Sequence, residues 1–231
     1  MTTDFPHSLP IWRFLAPLGL QIVLIVAIPA QAIYTQFTGK TVVLQTAPVD
    51  PYELLRGYSQ TLNYDISRQD RLRKLPGWQE LPQEKSEGNE VTFIKPGTHF
   101  YVILQAPTSI ESKGLPKAWK PVAVSLKYPS QLSKNQVAIK GLAQFGFIQY
   151  GLETYYIPED QREQINADLR AAQPERPTTL QQTLLQANPI QQPPRPPVVM
   201  KIKVNAKGEA VPISLCARVS KTSKQQEIRC Y

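Results

Sequence analysis

Val198-Val-Met-Lys-Ile-Lys-Val-Asn-Ala-Lys-Gly-Glu-Ala-Val-Pro-Ile-Ser-Leu-Cys-Ala-Arg-Val219, followed by a polar loop and Glu227-Ile-Arg-Cys-Tyr231, closes the chain and decides its class. Val198–Val204 reads as a strand, with charged and apolar residues alternating from Met200 onward. Asn205-Ala-Lys-Gly208 then supplies the residues of a hairpin turn, and Glu209–Val219 returns as a second strand. Glu227–Tyr231 reads as a third. Cys216 and Cys230 lie in the last two runs, and a hairpin pivoting near residue 223 sets them opposite each other. Such a pair closes a cross-strand disulfide in an oxidising compartment. The alternative is two unpaired thiols, because a slip of one residue sends the side chains to opposite faces. They are not metal ligands, since no Cys or His stands at ligand spacing and His7 and His99 are isolated.

Upstream, Thr61–Ile66 alternates apolar and polar residues as a half-buried strand does, and further β runs are read at Thr41–Gln45, Glu90–Ile94, His99–Ala106, Pro121–Tyr128, Val137–Tyr150 and Glu153–Ile157. The run Val137–Tyr150 is long enough to bend or split at Gly141 or Gly146. Arg68–Asn89, punctuated by Pro76-Gly77, Pro82 and Glu87-Gly88, has charge and turns without periodicity and is read as a surface loop. Pro158-Glu-Asp160 has a helix-start composition, and Thr178 caps a second helical run. Together they predict a helical insert over about 158–187, followed by a polyproline-type connector over 188–197. That connector is a semi-rigid spacer or, less commonly, a ligand for an SH3-like module. The predicted class is mainly β with a short helical insert.

At the other end, Phe14–Ile33 runs without a charge for about 20 residues, the length that crosses a bilayer as a helix. Trp12 and Arg13 before it and Tyr34 after it are interfacial flanks. This predicts a leader over 1–13, a transmembrane signal-anchor over 14–34 and a β-rich domain over 35–231. The rival is a cleaved secretory signal: Ala30-Gln-Ala32 after Pro29 fits the cleavage pattern and would release a secreted binder beginning at Ile33. Both readings export the tail. Arg13, closer to the apolar run than Lys40, favours a cytoplasmic N-terminus and an extracytoplasmic C-terminal domain, periplasmic in a bacterium.

The formal net charge of +8 resides in the tail, because Asp4 and Arg13 cancel. It is densest after Lys201, where Lys203, Lys207, Arg218, Lys221, Lys224 and Arg229 meet Glu209 and Glu227. A basic surface beside a bilayer suits anionic headgroups or an acidic partner; the plainer reading is a solvated strand face. Export and the lack of a binding module argue against nucleic acid.

The stretch Leu54-Leu-Arg-Gly-Tyr-Ser-Gln-Thr-Leu-Asn-Tyr64 resembles the family of membrane-anchored proteins named for the signature G-D-Y-x-x-L-x-Y. Gly57, Leu62 and Tyr64 occupy signature positions, with Arg56 in the lead-in, while Tyr58 stands at the Asp position and Ser59 at the first Tyr position. Pro48-Val-Asp-Pro51, Gly151–Glu159 and the hairpin within Lys201–Leu215 are similar to the family's other blocks, in the same order. The resemblance implies a single-pass membrane protein without an assigned reaction, associated with polytopic membrane proteins. It brings no catalytic residue and no cofactor. The missing Asp and Tyr leave Gly57, Leu62 and Tyr64 a structural role: a glycine for a tight turn, and two residues facing a core in alternate register.

Chemistry of the chain's own residues is sparse. Ser59 with Lys95 or Lys140 as base would make a Ser/Lys hydrolase resembling signal peptidases in outline, but no motif ties them together. Two histidines, no H-E-x-x-H and no glycine-rich loop leave metal hydrolysis, Ser-His-Asp chemistry and phosphate cradling without residues. Ten tyrosines, among them Tyr58, Tyr64, Tyr150, Tyr155 and Tyr156, offer either a recognition surface or ordinary half-buried strand positions.

Overall fold

The computed structural model describes residues 11–46, 59–85, 92–108, 114–156, 159–161, 163–165, 167–168, 198–222 and 225–231. An N-terminal helix, α1 (Trp12–Thr38), leads into a β-rich body. The helix outruns the expected 14–34 at both ends and continues through Pro17 and Pro29. Pro17 is the sixth residue of this helix, past the first turn, and removes the bond its N–H would have given to the Arg13 carbonyl. At Pro29 the helix likewise loses one backbone bond without breaking.

The body contains two four-stranded antiparallel sheets. The first joins β1 (Lys40–Gln45), β10 (Val198–Val204), β11 (Ala210–Thr222) and β12 (Gln225–Cys230) in that order. In β10 the alternation works as the sequence pattern requires: Val198, Met200, Ile202 and Val204 enter the main core. Val199 faces the other way and joins Val43 and Cys216 beneath Leu115 and Trp119. Pro212 has no N–H to give the ladder, and the pairing of β10 with β11 shifts register between Lys201 and Ile202, opposite it.

The second sheet orders β6 (Lys120–Ser125), β5 (His99–Gln105), β7 (Gln136–Ala143) and β8 (Ile148–Gln149). Phe100, Val102 and Leu104 of β5 and Val137, Ile139 and Ala143 of β7 face the same core as the first sheet. The run predicted as one strand over 137–150 splits at the turn containing Gly146, whose φ is 82°. Gly141 stays inside β7, where an added Cβ would lie 2.8 Å from Ile148 Cγ2. Two small ribbons complete the body: β2 (Ser59–Thr61) with β9 (Thr154–Tyr156), and β3 (Gln83–Lys85) with β4 (Thr92–Ile94).

Two expectations need correction. The strand predicted over 61–66 ends at Thr61, and Asp65–Ser67 forms a 3-10 turn. The segment read as a surface loop after Arg68 is instead a tight succession of structure: α2 (Gln69–Leu72), a 3-10 turn at Trp78–Glu80 and β3. It buries Leu72, Trp78 and Leu81. The physical cause is local. Gly77 adopts φ 84°, and an added Cβ there would lie 1.9 Å from the Val124 carbonyl oxygen, so only glycine brings the turn against β6. Gln69, also buried, accepts from the Ile94 backbone N–H at 2.8 Å through Oε1. Of the predicted insert over 158–187, residues 159–161, 163–165 and 167–168 are helical, and Ile165 is fully buried. The rest of the insert and the connector over 188–197 lie outside the described residues.

Candidate functional site

Two places join distant parts of the chain through buried polar contacts. The first is where the signature meets the second family-like block. Leu62 is buried, and its backbone N–H donates to the Glu153 carbonyl at 2.6 Å. Tyr64 is wholly buried, and its hydroxyl donates to the Leu152 carbonyl at 2.7 Å. Leu62 and Tyr64 thus grip adjacent carbonyls of one segment, while β2 pairs with β9 just beyond. A reciprocal bond comes from Tyr150, whose hydroxyl donates to the Ile66 carbonyl at 2.7 Å. Glu153 closes the clasp by accepting from the Tyr150 N–H at 2.6 Å. Burial, and then the Glu153 charge, push the phenols of Tyr64 and Tyr150 well above their ordinary pKa. Both tyrosines are neutral donors held in apolar surroundings. Arg56 and Gly57 lie outside the described residues.

Tyr155 extends the clasp to the C-terminal strand by donating to the Tyr231 carbonyl at 2.7 Å. There Asp168, largely buried, accepts from Arg229 at 2.8 Å and from the Tyr231 hydroxyl. Burial, then the bond to Asp168, push Tyr231 up to about 12. Cys216 and Cys230 sit directly opposite each other with Cα atoms 4.0 Å apart and are joined as a disulfide. Leu215 and Tyr231 exchange both backbone bonds next to them, which makes 216/230 the closer, non-hydrogen-bonded type of pair.

The second place is the base of α1, which sequence analysis did not single out. Thr35 and Gly39 turn one side of the last helical turns onto the 205–208 hairpin, and both are buried. Asn205 donates through Nδ2 to Thr35 Oγ1 at 2.9 Å and to Glu209 at 2.8 Å. Its Oδ1 accepts from the N–H groups of Lys207 and Glu209. Every polar atom of this side chain is therefore used, half for the turn and half for the helix and its neighbour. Gly39 permits the approach: a Cβ would lie 2.5 Å from the Thr35 carbonyl oxygen and 3.1 Å from Lys203 Cβ. On the far side of the hairpin, the Gly208 carbonyl accepts from Lys140 N–H at 2.8 Å, binding the tip to the free edge of β7. The helix base is thus tied through one hairpin to both sheets. An Asn opening a four-residue turn was the available signal, since Asn caps its own turn through its side chain.

The residues of the nucleophile–base combinations belong to three different places in the chain's strand order. Ser59 is in β2, Lys95 follows β4 and Lys140 is in β7. Among the described residues no three His, Cys, Asp or Glu side chains form a group that could hold a metal.

No curated protein and no solved structure matches the chain. Residues 21–215, from within the apolar helix to the strand carrying the disulfide, match the GDYXXLXY protein family, and the chain belongs to it.

Proposed function

We propose that this protein is a single-pass membrane protein with a cytoplasmic N-terminus, whose extracytoplasmic β domain is an accessory or interaction subunit of a polytopic membrane protein. The observation that carries the reading is the state of α1. Over the window of mean hydropathy 1.9 none of the helix is buried against its own domain. Leu18, Leu20, Ile22, Leu24 and Ile25 are each at least half exposed. An uncovered apolar helix of this length is costly in water and at home in lipid, where its whole perimeter is free for hydrocarbon or neighbouring helices. Trp12 and Tyr34, 22 residues apart in the helix, stand about 33 Å apart, near the hydrocarbon thickness. The Cys216–Cys230 disulfide favours the oxidising side of the membrane.

The test is to purify the native protein from membranes washed at alkaline pH, sequence its N-terminus and map crosslinks from α1. Retention of residues before Ile33 and crosslinks to a polytopic chain support the reading. A mature N-terminus at Ile33 in an unanchored protein refutes it and makes the chain a secreted binder.

A further inference from the structure

We infer that the base of α1 carries a binding surface for anionic lipid headgroups, built from Lys40, Lys134, Lys140, Lys203 and Lys207. The inference rests on the reading of α1 as a membrane helix. The argument is one of placement. Asn205 bonds to Thr35 in the last turns of the helix, so Lys207, exposed two residues further along the hairpin, sits at the helix base. Lys203 has its Cβ beside Gly39. Lys40 is the first residue after the Thr38–Gly39 stop, and its Nζ donates to the Lys134 carbonyl, which brings Lys134 alongside. Lys140 is drawn in by its backbone bond to Gly208. Five lysines from β1, β7, β10 and two turns thus converge where the apolar helix meets the domain.

The Lys40 ammonium is held by the Lys134 and Gln136 carbonyls and stands 5.4 Å from the Trp119 ring centroid, contacts that leave its charge in place. None of the five is paired with a carboxylate among the described residues. The acid in the junction, Glu209, accepts from Asn205 Nδ2 and from no lysine among the described residues. Tyr34 and Phe37, both exposed on the outer side of the last turns, mark the depth at which an aromatic belt meets headgroups. The lysines follow it at the junction of helix and domain, and act on headgroups over about a Debye length, roughly 10 Å at 0.1 M salt. A ring of cations at that height complements an anionic leaflet, and each contributes separately to holding the domain against it. A rigid helix–hairpin joint keeps the ring in place, which a flexible linker would not.

The test uses the full chain reconstituted in vesicles of phosphatidylcholine alone, or of phosphatidylcholine with phosphatidylglycerol. A membrane-impermeant amine-acylating reagent is applied, and each lysine's rate is read by mass spectrometry. The reagent carries one negative charge and is depleted at an anionic surface of about −30 to −50 mV, so the five should be acylated about three- to sevenfold more slowly in the anionic vesicles. Lys74 and Lys85 should change little, and high salt should erase the difference. Equal rates in both vesicles, with the chain still resistant to alkaline washing, would overturn the lipid surface and leave the membrane helix intact. A chain removed by that wash from both vesicles would sink the membrane reading and this one with it. Equal protection by inorganic phosphate on phosphatidylcholine vesicles would overturn the lipid in favour of a free-anion site.

Discussion

Replacing Tyr64 by Phe keeps the ring in the core and deletes one buried hydroxyl. That hydroxyl donates to the Leu152 carbonyl at 2.7 Å, and Tyr64 has no exposed surface, so water cannot replace it. Leaving the carbonyl without its donor costs about 1–3 kcal/mol. The phenol supplies a second handle. Its folded pKa lies far above that of the unfolded chain, roughly 10, because burial and the Glu153 charge both oppose ionisation. A group whose neutral form is favoured by folding contributes its full share below the unfolded value. It loses that share as pH rises above about 10, at roughly 1.4 kcal/mol per pH unit. At about pH 11 the wild type has therefore lost roughly 1.4 kcal/mol through Tyr64, and Tyr64→Phe has lost nothing there. Tyr150 titrates in the same sense in both proteins and cancels in the comparison. Urea denaturation of the full chain in detergent micelles, followed by tryptophan fluorescence, measures both effects. Trp78 is buried in the core and reports its opening. Tyr64→Phe should be less stable near neutral pH, and the gap should narrow by roughly 1.4 kcal/mol near pH 11. Equal midpoints near neutrality, or a gap independent of pH, would refute the clasp.

The other predictions address the joint, the core turn and the C-terminal hairpin. Asn205→Asp retains the acceptor for Lys207 and Glu209 but loses both donor contacts and places a carboxylate against Glu209. It should cost about 1–3 kcal/mol and accelerate amide exchange at Gly39, whose N–H closes the helix on Thr35; unchanged exchange would sink the joint. Gly77→Ala meets both a left-handed backbone and the Val124 carbonyl, and should lower the thermal midpoint by more than the loss of about 1 kcal/mol expected for unfavourable φ alone. Replacing both Cys216 and Cys230 by Ser frees a link spanning 14 residues and should cost about 3 kcal/mol, read as a lower urea midpoint with a slope that rises because the unlinked denatured chain exposes more surface.

Much of the architecture is legible in local pattern because strands and apolar helices declare themselves by period and length. In Val198–Val204 and His99–Gln105 the apolar residues two apart, Met200, Ile202 and Val204 and Phe100, Val102 and Leu104, all reach the core. The Asn205–Gly208 turn is readable because Asn and Gly have specific backbone uses. The 65–85 segment shows the opposite case. Leu72, Trp78 and Leu81 are spaced by 6 and then 3 residues, which is neither a strand nor a helix period. Consecutive tight turns deliver them to the core, and charge and turn residues between them mimic a surface loop. The signature was visible as spacing, yet its action was not, because Tyr64 finds its acceptor 88 residues away at Leu152.

By itself, then, the chemistry of the chain determines the apolar helix, the mainly β class, the hairpin that faces Cys216 with Cys230 and the family resemblance. These follow from interactions between near neighbours and from the fixed geometry of helix and strand. Tertiary structure alone decides which carbonyls the buried tyrosines reach, and that Thr35, Asn205 and Lys140 tie the helix base to both sheets. The side-chain contacts among them join residues 84 to 170 positions apart and the Lys140 backbone bond bridges separate sheets, as a buried polar group must find a partner wherever the folded backbone presents one.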